Sequence, residues 1–213
     1  MARLVRGLIV DYGGVMTTDV FASFRAFCEA EGLAPDTVRD RFFGDPGARE
    51  LLERLETGRA AEPEFEAAFS ALIGVAPDGL IDRMFGHMTP DEAMIEGVLA
   101  ARRAGVRTAM LSNSWGEDRY DAKQLERLFD AWVISGIEGV RKPDPAIYAL
   151  AVERIGVPAA DCVFVDDLPG NLKPARALGM GTVVHRGDAA QTLAEVSELL
   201  GVDLRLDPGV SPR

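Results

Sequence analysis

Lysine, cysteine, positive charge and long apolar runs are all scarce in this chain, and each scarcity narrows what it can be. Three of its 23 basic residues are lysines (Lys123, Lys142 and Lys173), against 20 arginines. With arginine as the default cation, a lysine asks for a reason of its own, and Lys142 stands directly after Arg141. The two cysteines, Cys28 and Cys162, sit in apolar surroundings, which predicts buried thiols in a reducing compartment rather than a disulfide framework. A formal net charge of −11 argues against nucleic acid or an anionic membrane as partner, because the overall field repels both. The arginines near the start precede an apolar run that Asp11 breaks after four residues, too short for a signal peptide, and no apolar stretch approaches the length of a membrane span. A cytoplasmic protein is expected.

What is present is a packed globular composition. At 213 residues and 47% hydrophobic content the chain can build one full domain and a smaller insertion. "GLIV" (7–10) reads as a buried strand, and the stretch from about Asp19 to Met88 reads as helices throughout. Phe21, Phe24, Phe27 and Cys28 recur at helical spacing before Gly32, and segments 48–59 and 62–74 repeat the apolar stripe with an acidic outer face. Thr17 and Thr18 are read as the start of this insertion. From residue 89 the pattern changes to alternation. Thr89 is read as an N-cap, with Pro90 at the first helical position and Glu92 reaching back as a capping box. Strands are then expected over 107–111, 131–135, 162–167 and 182–185, with helices over 118–129, 144–156, 171–179 and 192–201. Such alternation implies a doubly wound parallel α/β sheet with helices on both faces. The expected organisation is a discontinuous core, 1–15 with 90–213, and a helical cap, 16–89, lying over the strand ends as a lid. The last residues, 206–213, are expected as a frayed tail.

In an open parallel sheet, ligands bind beyond the carboxyl ends of the strands. Four strand ends here carry polar groups: Asp11, then Ser112 and Asn113, then Lys142, then the pair Asp166 and Asp167. Singly, each has a plain structural reading as a turn, a helix cap or a surface charge. Together they suit attack by a carboxylate on phosphorus, which needs in-line positioning and neutralisation of the phosphoryl oxygens. Asp11 would be the nucleophile, and the anions around it require a divalent cation held by Asp11 and Asp167. Ser112 and backbone amides would bind a phosphate oxygen, and Lys142, a compact point charge, would bridge Asp11 and the phosphate. His185, after the last core strand, is a weaker candidate. Trp115 is placed either along the cleft floor or beneath the following helix.

The order of these residues resembles the four motifs of the haloacid dehalogenase superfamily, read here as "LIVDYGGV", "MLSNS", "VRKPDPAIY" and "VFVDDLPGN". Within it, "LSNSWGEDR" and "VFVDDLPGNLKPARALGMGTVV" look like the amino-terminal phosphatase domain of soluble epoxide hydrolases. The resemblance spans most of residues 6–205. It implies a phosphatase using Mg²⁺, with Asp11 as nucleophile and Ser112, Asn113, Lys142 and Gly14 on the phosphate. Asp11, Asp167, Asp166 and the Gly13 carbonyl would lie around the metal, with Asn171 in support. It implies a small phosphorylated substrate, a monomer or homodimer, and no epoxide-hydrolysing half.

One departure stands out. Phosphatases of the family commonly carry a second aspartate where this chain has Gly13. That carboxylate protonates the leaving group and later activates water, and its loss is expected to cost roughly 10²- to 10⁴-fold in rate. Dehalogenases of the family also lack it, but work without a metal, which leaves the acidic pair unexplained. A binder of phosphorylated ligands or proteins, no longer catalytic, is the remaining alternative.

Overall fold

The structure, a computed structural model, describes residues 6–116 and 119–204. The tail expected over 206–213 and the first residue of the helix expected over 118–129 lie outside the described residues. The core is a five-stranded sheet of β1 (Gly7–Val10), β2 (Arg107–Ser112), β3 (Ala131–Ile134), β4 (Cys162–Asp166) and β5 (Gly181–Val184). Its order is β3-β2-β1-β4-β5, and every neighbouring pair is parallel. The chain therefore winds outward from β1 on one side, then crosses back to wind outward on the other. β1 is the switch point. Val10 pairs with Met110 on one side and Val165 on the other, so the next residues, Asp11 and Asp166, leave adjacent strands side by side.

Between β1 and β2 come α1 (Val20–Ala30), α2 (Thr37–Gly44), α3 (Pro46–Glu56), α4 (Glu62–Ile73), α5 (Leu80–Phe85) and α6 (Glu92–Arg103). Then follow α7 (Ala122–Leu128), a single turn α8 (Ser135–Glu138), α9 (Pro145–Ile155), α10 (Pro169–Ala177) and α11 (Ala189–Leu200). Strand periodicity sorts the layers. Leu8 and Val10 pack with Ile95 and Val98 of α6, Leu128 of α7 and Val196 of α11. Ile9 points the other way, onto Ile147 and Tyr148 of α9 and Leu172 of α10. The doubly wound α/β sheet expected from the sequence is the fold observed. Among the described residues no helix is long and apolar enough to cross a membrane, and both cysteines are free buried thiols.

Local chemistry sets the helix ends. Asp144 caps α9 through the Ala146 N–H, Pro145 opens it, and Gly156 closes it in the left-handed region. The start of α6 corrects an expectation. Its N-cap is Asp91, whose carboxylate accepts the Met94 N–H, not Thr89. Thr89 and Pro90 are already committed to backbone pairing with Thr18 and Thr17, and the Asp91 N–H donates to the Met16 carbonyl. This narrow antiparallel ribbon carries the chain into and out of α1–α5.

Helices α1–α5 bury an aromatic core of their own, including Phe24, Phe27, Phe42, Phe65 and Phe69. Trp115, from the loop after β2, leaves the expected positions and inserts into that core. Its ring lies 5.0 Å from Phe85, 5.5 Å from Phe42 and Phe65, and 5.7 Å from Phe24. An indole gains more by filling an aromatic socket than by lining a wet cleft. Arg119, on the same loop, reaches Asp82 at 2.8 Å and Glu62 at 2.7 Å. The seam is tight elsewhere too. At Gly58, in the left-handed region, a β-carbon would come within 2.4 Å of the Gly136 carbonyl oxygen.

Candidate active site

β1 ends at the centre of the sheet and presents Asp11, whose N–H donates to the Val165 carbonyl at 2.9 Å. Asp11 Oδ1 accepts the Tyr12 N–H at 2.7 Å and lies 2.8 Å from Lys142 Nζ. The same ammonium is 2.7 Å from Asp166 Oδ2. Lys142 is 1% exposed, Asp166 is fully buried and Asp11 is 8% exposed. Burial alone would lower the Lys142 pKa, but Asp11 and Asp166 outweigh it and hold the ammonium above the usual lysine value. Burial pushes Asp11 well above the usual carboxylate value, Asp166 and Asp167 add repulsion, and Lys142 offsets only part of this.

Asp166 is saturated. Besides Lys142 it accepts the Leu168 N–H at 2.8 Å and the Asn171 amide at 3.0 and 3.1 Å. Asp166, expected around the metal, is turned toward Lys142 and the start of α10 while keeping an oxygen in the acidic group. Asp167 is different. Among the described residues the donor to its carboxylate is its own backbone N–H, and burial followed by repulsion from Asp166 pushes it up to about 6. One oxygen each from Asp11, Asp166 and Asp167 lie within 4.8 Å of one another. Three carboxylates against a single ammonium leave a local negative excess that suits a hard divalent cation with oxygen ligands.

Gly13 and Gly14 make the turn beneath. Gly14 sits in the left-handed region at φ 75°, and a β-carbon there would lie 2.5 Å from Asp167 Oδ2. Its N–H donates to Thr17 Oγ1 at 3.0 Å, so it is committed to the turn. A β-carbon at Gly13 would lie 3.2 Å from Val20 Cγ2, at the foot of α1.

Ser112 ends β2, 3% exposed, and accepts the Tyr120 hydroxyl at 2.9 Å. Burial raises the Tyr120 pKa, so this hydroxyl remains a donor, and Ser112 keeps its own proton for another acceptor. The Tyr120 ring packs edge-on against Tyr12 at 5.2 Å, on the sheet face away from Ile9. The Asn113 side chain, expected on the substrate, bonds the chain itself. Its Oδ1 accepts the Lys142 N–H at 2.8 Å and its Nδ2 donates to the Lys142 carbonyl at 3.1 Å. His185 pairs its Nδ1 with Thr192 Oγ1 at 2.9 Å and belongs to the packing under α11.

Two residues at the site escaped the sequence reading. Tyr120 follows no periodic pattern. Glu56 did leave a trace: it falls eight residues after Ala48 on α3, in the buried register, where a carboxylate is out of place. It is 6% exposed, bonded at Oε2 to Arg141 Nε at 3.0 Å and facing Asn113 Nδ2 at 3.4 Å.

A switch-point sheet gathering an aspartate, a lysine and an acidic pair, with a helical unit inserted after its first strand, defines a doubly wound α/β core with a helical insertion. The family model for haloacid dehalogenase-like hydrolases matches residues 5–179, and the chain belongs to that family. It is 30% identical over 140 residues to bifunctional epoxide hydrolase 2 of Sus scrofa, covering 62% of this chain and 25% of that protein. The chain thus spans about a quarter of the length of that relative. To the sesquiterpene phosphatase astK of Aspergillus oryzae it is 30% identical over 159 residues, covering 71% of this chain and 80% of that one. A haloacid dehalogenase family enzyme from Bacteroides thetaiotaomicron, solved with magnesium and inorganic phosphate, shares the fold at a TM-score of 0.66 and 20% identity. That likeness covers 86% of this chain and 95% of the other.

Proposed function

We propose that the chain is a magnesium-dependent phosphatase acting on a small phosphate monoester through an aspartyl-phosphate at Asp11. The observation that carries this reading is the Asp167 carboxylate, within reach of Asp11 and in no ion pair among the described residues, in a cluster where one lysine faces three acids. Asp11, Asp167 and the Gly13 carbonyl would hold the ion, with Asp166 behind Lys142 rather than on the metal. A bound Mg²⁺ would lower the proton affinity of Asp11 and neutralise the phosphoryl oxygens.

The chain's own groups do the rest. Lys142 and the Tyr12 N–H fix one oxygen of Asp11, leaving Oδ2 free of protein hydrogen bonds among the described residues. The Asp11 carboxylate forms a bond to phosphorus while the ester P–O bond breaks and the alcohol oxygen leaves. Ser112, with Tyr120 occupying its acceptor side, donates its proton to a phosphoryl oxygen. Position 13 offers no acid, so the reading favours leaving groups that depart without help, such as sugar 1-phosphates, acyl phosphates or aryl phosphates. The sesquiterpene phosphatase relative supports phosphate esters as the class. Gly13 also suits halide displacement, which needs no acid, but that chemistry would leave Asp167 facing Asp11 with nothing between them.

The test is hydrolysis of p-nitrophenyl phosphate with and without Mg²⁺. Turnover that requires the ion and falls at least about 10³-fold in Asp11→Asn is expected. Stabilisation by phosphate and Mg²⁺ without turnover would make the chain a binder, and halide release from a haloacid would make it a dehalogenase.

A further inference from the structure

The insertion and the core share more than the ribbon that links them. Glu56, the last residue of α3, reaches out of the insertion into the loops that carry the phosphate-side residues of the core. Its Oε2 faces Arg141 Nε at 3.0 Å and Asn113 Nδ2 at 3.4 Å. Both donors also bond the Lys142 carbonyl, Asn113 at 3.1 Å and Arg141 at 3.2 Å. The Trp115 indole lies close enough to the same carboxylate to favour its ionised form, and Ser135 Oγ donates to the Glu56 carbonyl. Two donors are thus shared between one oxygen of the insertion and the backbone of the lysine that grips Asp11. Because Asn113 also accepts the Lys142 N–H, its amide orientation decides where both backbone polar groups of Lys142 lie.

We infer that Glu56 is a positioning residue through which the insertion sets Lys142: when α3 is seated, Asn113 and Arg141 are drawn into the orientation that holds the lysine backbone. This rests on the Asp11–Lys142 centre proposed above being the reacting one. Glu56 acts through other groups and does not touch Asp11. Its role explains why Arg141 precedes Lys142 and why Asn113 is not free for substrate.

The surroundings give the link a signature. Burial pushes Glu56 up to about 7, with Arg141 and then Lys142 pulling it down and Glu53, one turn back on α3, raising it. Below pH 7 the neutral acid loses its charge attraction for Arg141 and its grip on Asn113. Above pH 7 the ionised form holds both. An ascending limb in kcat/KM with a midpoint near 7 follows.

Trp132→Phe leaves Trp115 as the sole tryptophan, since the chain has two. In that background Trp115 emission should titrate near pH 7, and Glu56→Gln should abolish the titration. The variant should also speed amide exchange at Lys142 about tenfold, as expected for the loss of one supporting hydrogen bond, while the Asp11 amide stays protected by Val165. The kcat/KM limb near 7 should vanish, with kcat/KM at pH 8 down about tenfold. Arg141→Gln keeps the carboxylate and removes its cation, so it should move the Trp115 titration to higher pH. A titration that survives Glu56→Gln would overturn the inference. So would a lost titration with Lys142 exchange and kcat/KM unchanged, which is the behaviour of a purely structural ion pair. Fluorescence and exchange need no turnover, so a chain inactive on phosphate esters would refute the proposed function while these two readouts still decide the role of Glu56.

Discussion

On one side of Asp11, Lys142, Asp166, Asn171 and Asn113 satisfy one another so completely that Asp166 and Lys142 are sealed from water. On the other side lie two glycines and Asp167, a partly buried carboxylate that no other described residue's donor reaches. Lys142 touches Asp11 at 2.8 Å and an Asp167 oxygen lies within 4.8 Å of it, yet one side is finished and the other is open. A buried charge is tolerated when its partners are built in, and is otherwise tolerable only where something else arrives to neutralise it. The closed side therefore belongs to the folded protein, and the open side is where the proposed ion would be held.

Breaking the closed side should have the largest effect. Lys142→Met removes the one cation between two buried carboxylates. It should cost about 3–5 kcal/mol of stability, because the orphaned charges must be neutralised or desolvated. Activity should fall about 10²- to 10³-fold, the scale for losing one electrostatic contact to the transition state. Urea unfolding and steady-state kinetics read the two losses. Wild-type stability with reduced activity would mean that the closed side is no part of the folding free energy, and the contrast drawn above would fail.

Breaking the open side should cost less in folding, about 1–3 kcal/mol for a strained turn, and act mainly on the ion. Gly14→Ala places a β-carbon 2.5 Å from Asp167 Oδ2, at a φ of 75° that alanine adopts with strain. Asp167 must turn away. Apparent Mg²⁺ affinity, read by ion-dependent thermal stabilisation and by the Mg²⁺ dependence of turnover, should weaken about 10- to 100-fold. Unchanged Mg²⁺ dependence would show that Asp167 holds no ion.

These two sides were not equally legible in the sequence. Asp11, Ser112, Lys142 and the acidic pair could be located because strand ends are readable from short apolar runs, and a parallel sheet must bring those ends together. The scarcity of lysine made Lys142 conspicuous. What each group is bonded to was hidden. Asp166 and Asp167 are adjacent and chemically identical, and only the twist out of β4 sends one to Lys142 and leaves the other facing Gly14. Asn113 looked like a ligand-binding amide because nothing local showed the Lys142 peptide bound across it. Trp115 and Glu56 depend on how the insertion docks, which no periodicity encodes, although a glutamate in the buried register of α3 was a detectable anomaly. At Thr89 a sound local capping signal was overridden by Thr18, 71 residues away, whose N–H donates to the Thr89 carbonyl and whose hydroxyl accepts the Thr89 N–H.

The mildest change tests why the open side is so open. If Gly13 lacks only the acid, then Gly13→Asp should restore it, and the obstacle is Val20, whose Cγ2 would stand 3.2 Å from the new β-carbon. A valine at the first turn of a helix can move by the few tenths of an ångström required. The gain should therefore be real but partial, about tenfold on an alkyl phosphate with a poor leaving group. On p-nitrophenyl phosphate, whose leaving group needs no proton, the first step gains little. The ratio of the two rates is the informative quantity, because expression, folding and metal loading cancel in it. A rise in that ratio makes the glycine a filter on leaving groups. An unchanged ratio, with both rates falling, would mean that the space above Gly13 is shaped for the substrate itself, and that the proton comes from the substrate or from water.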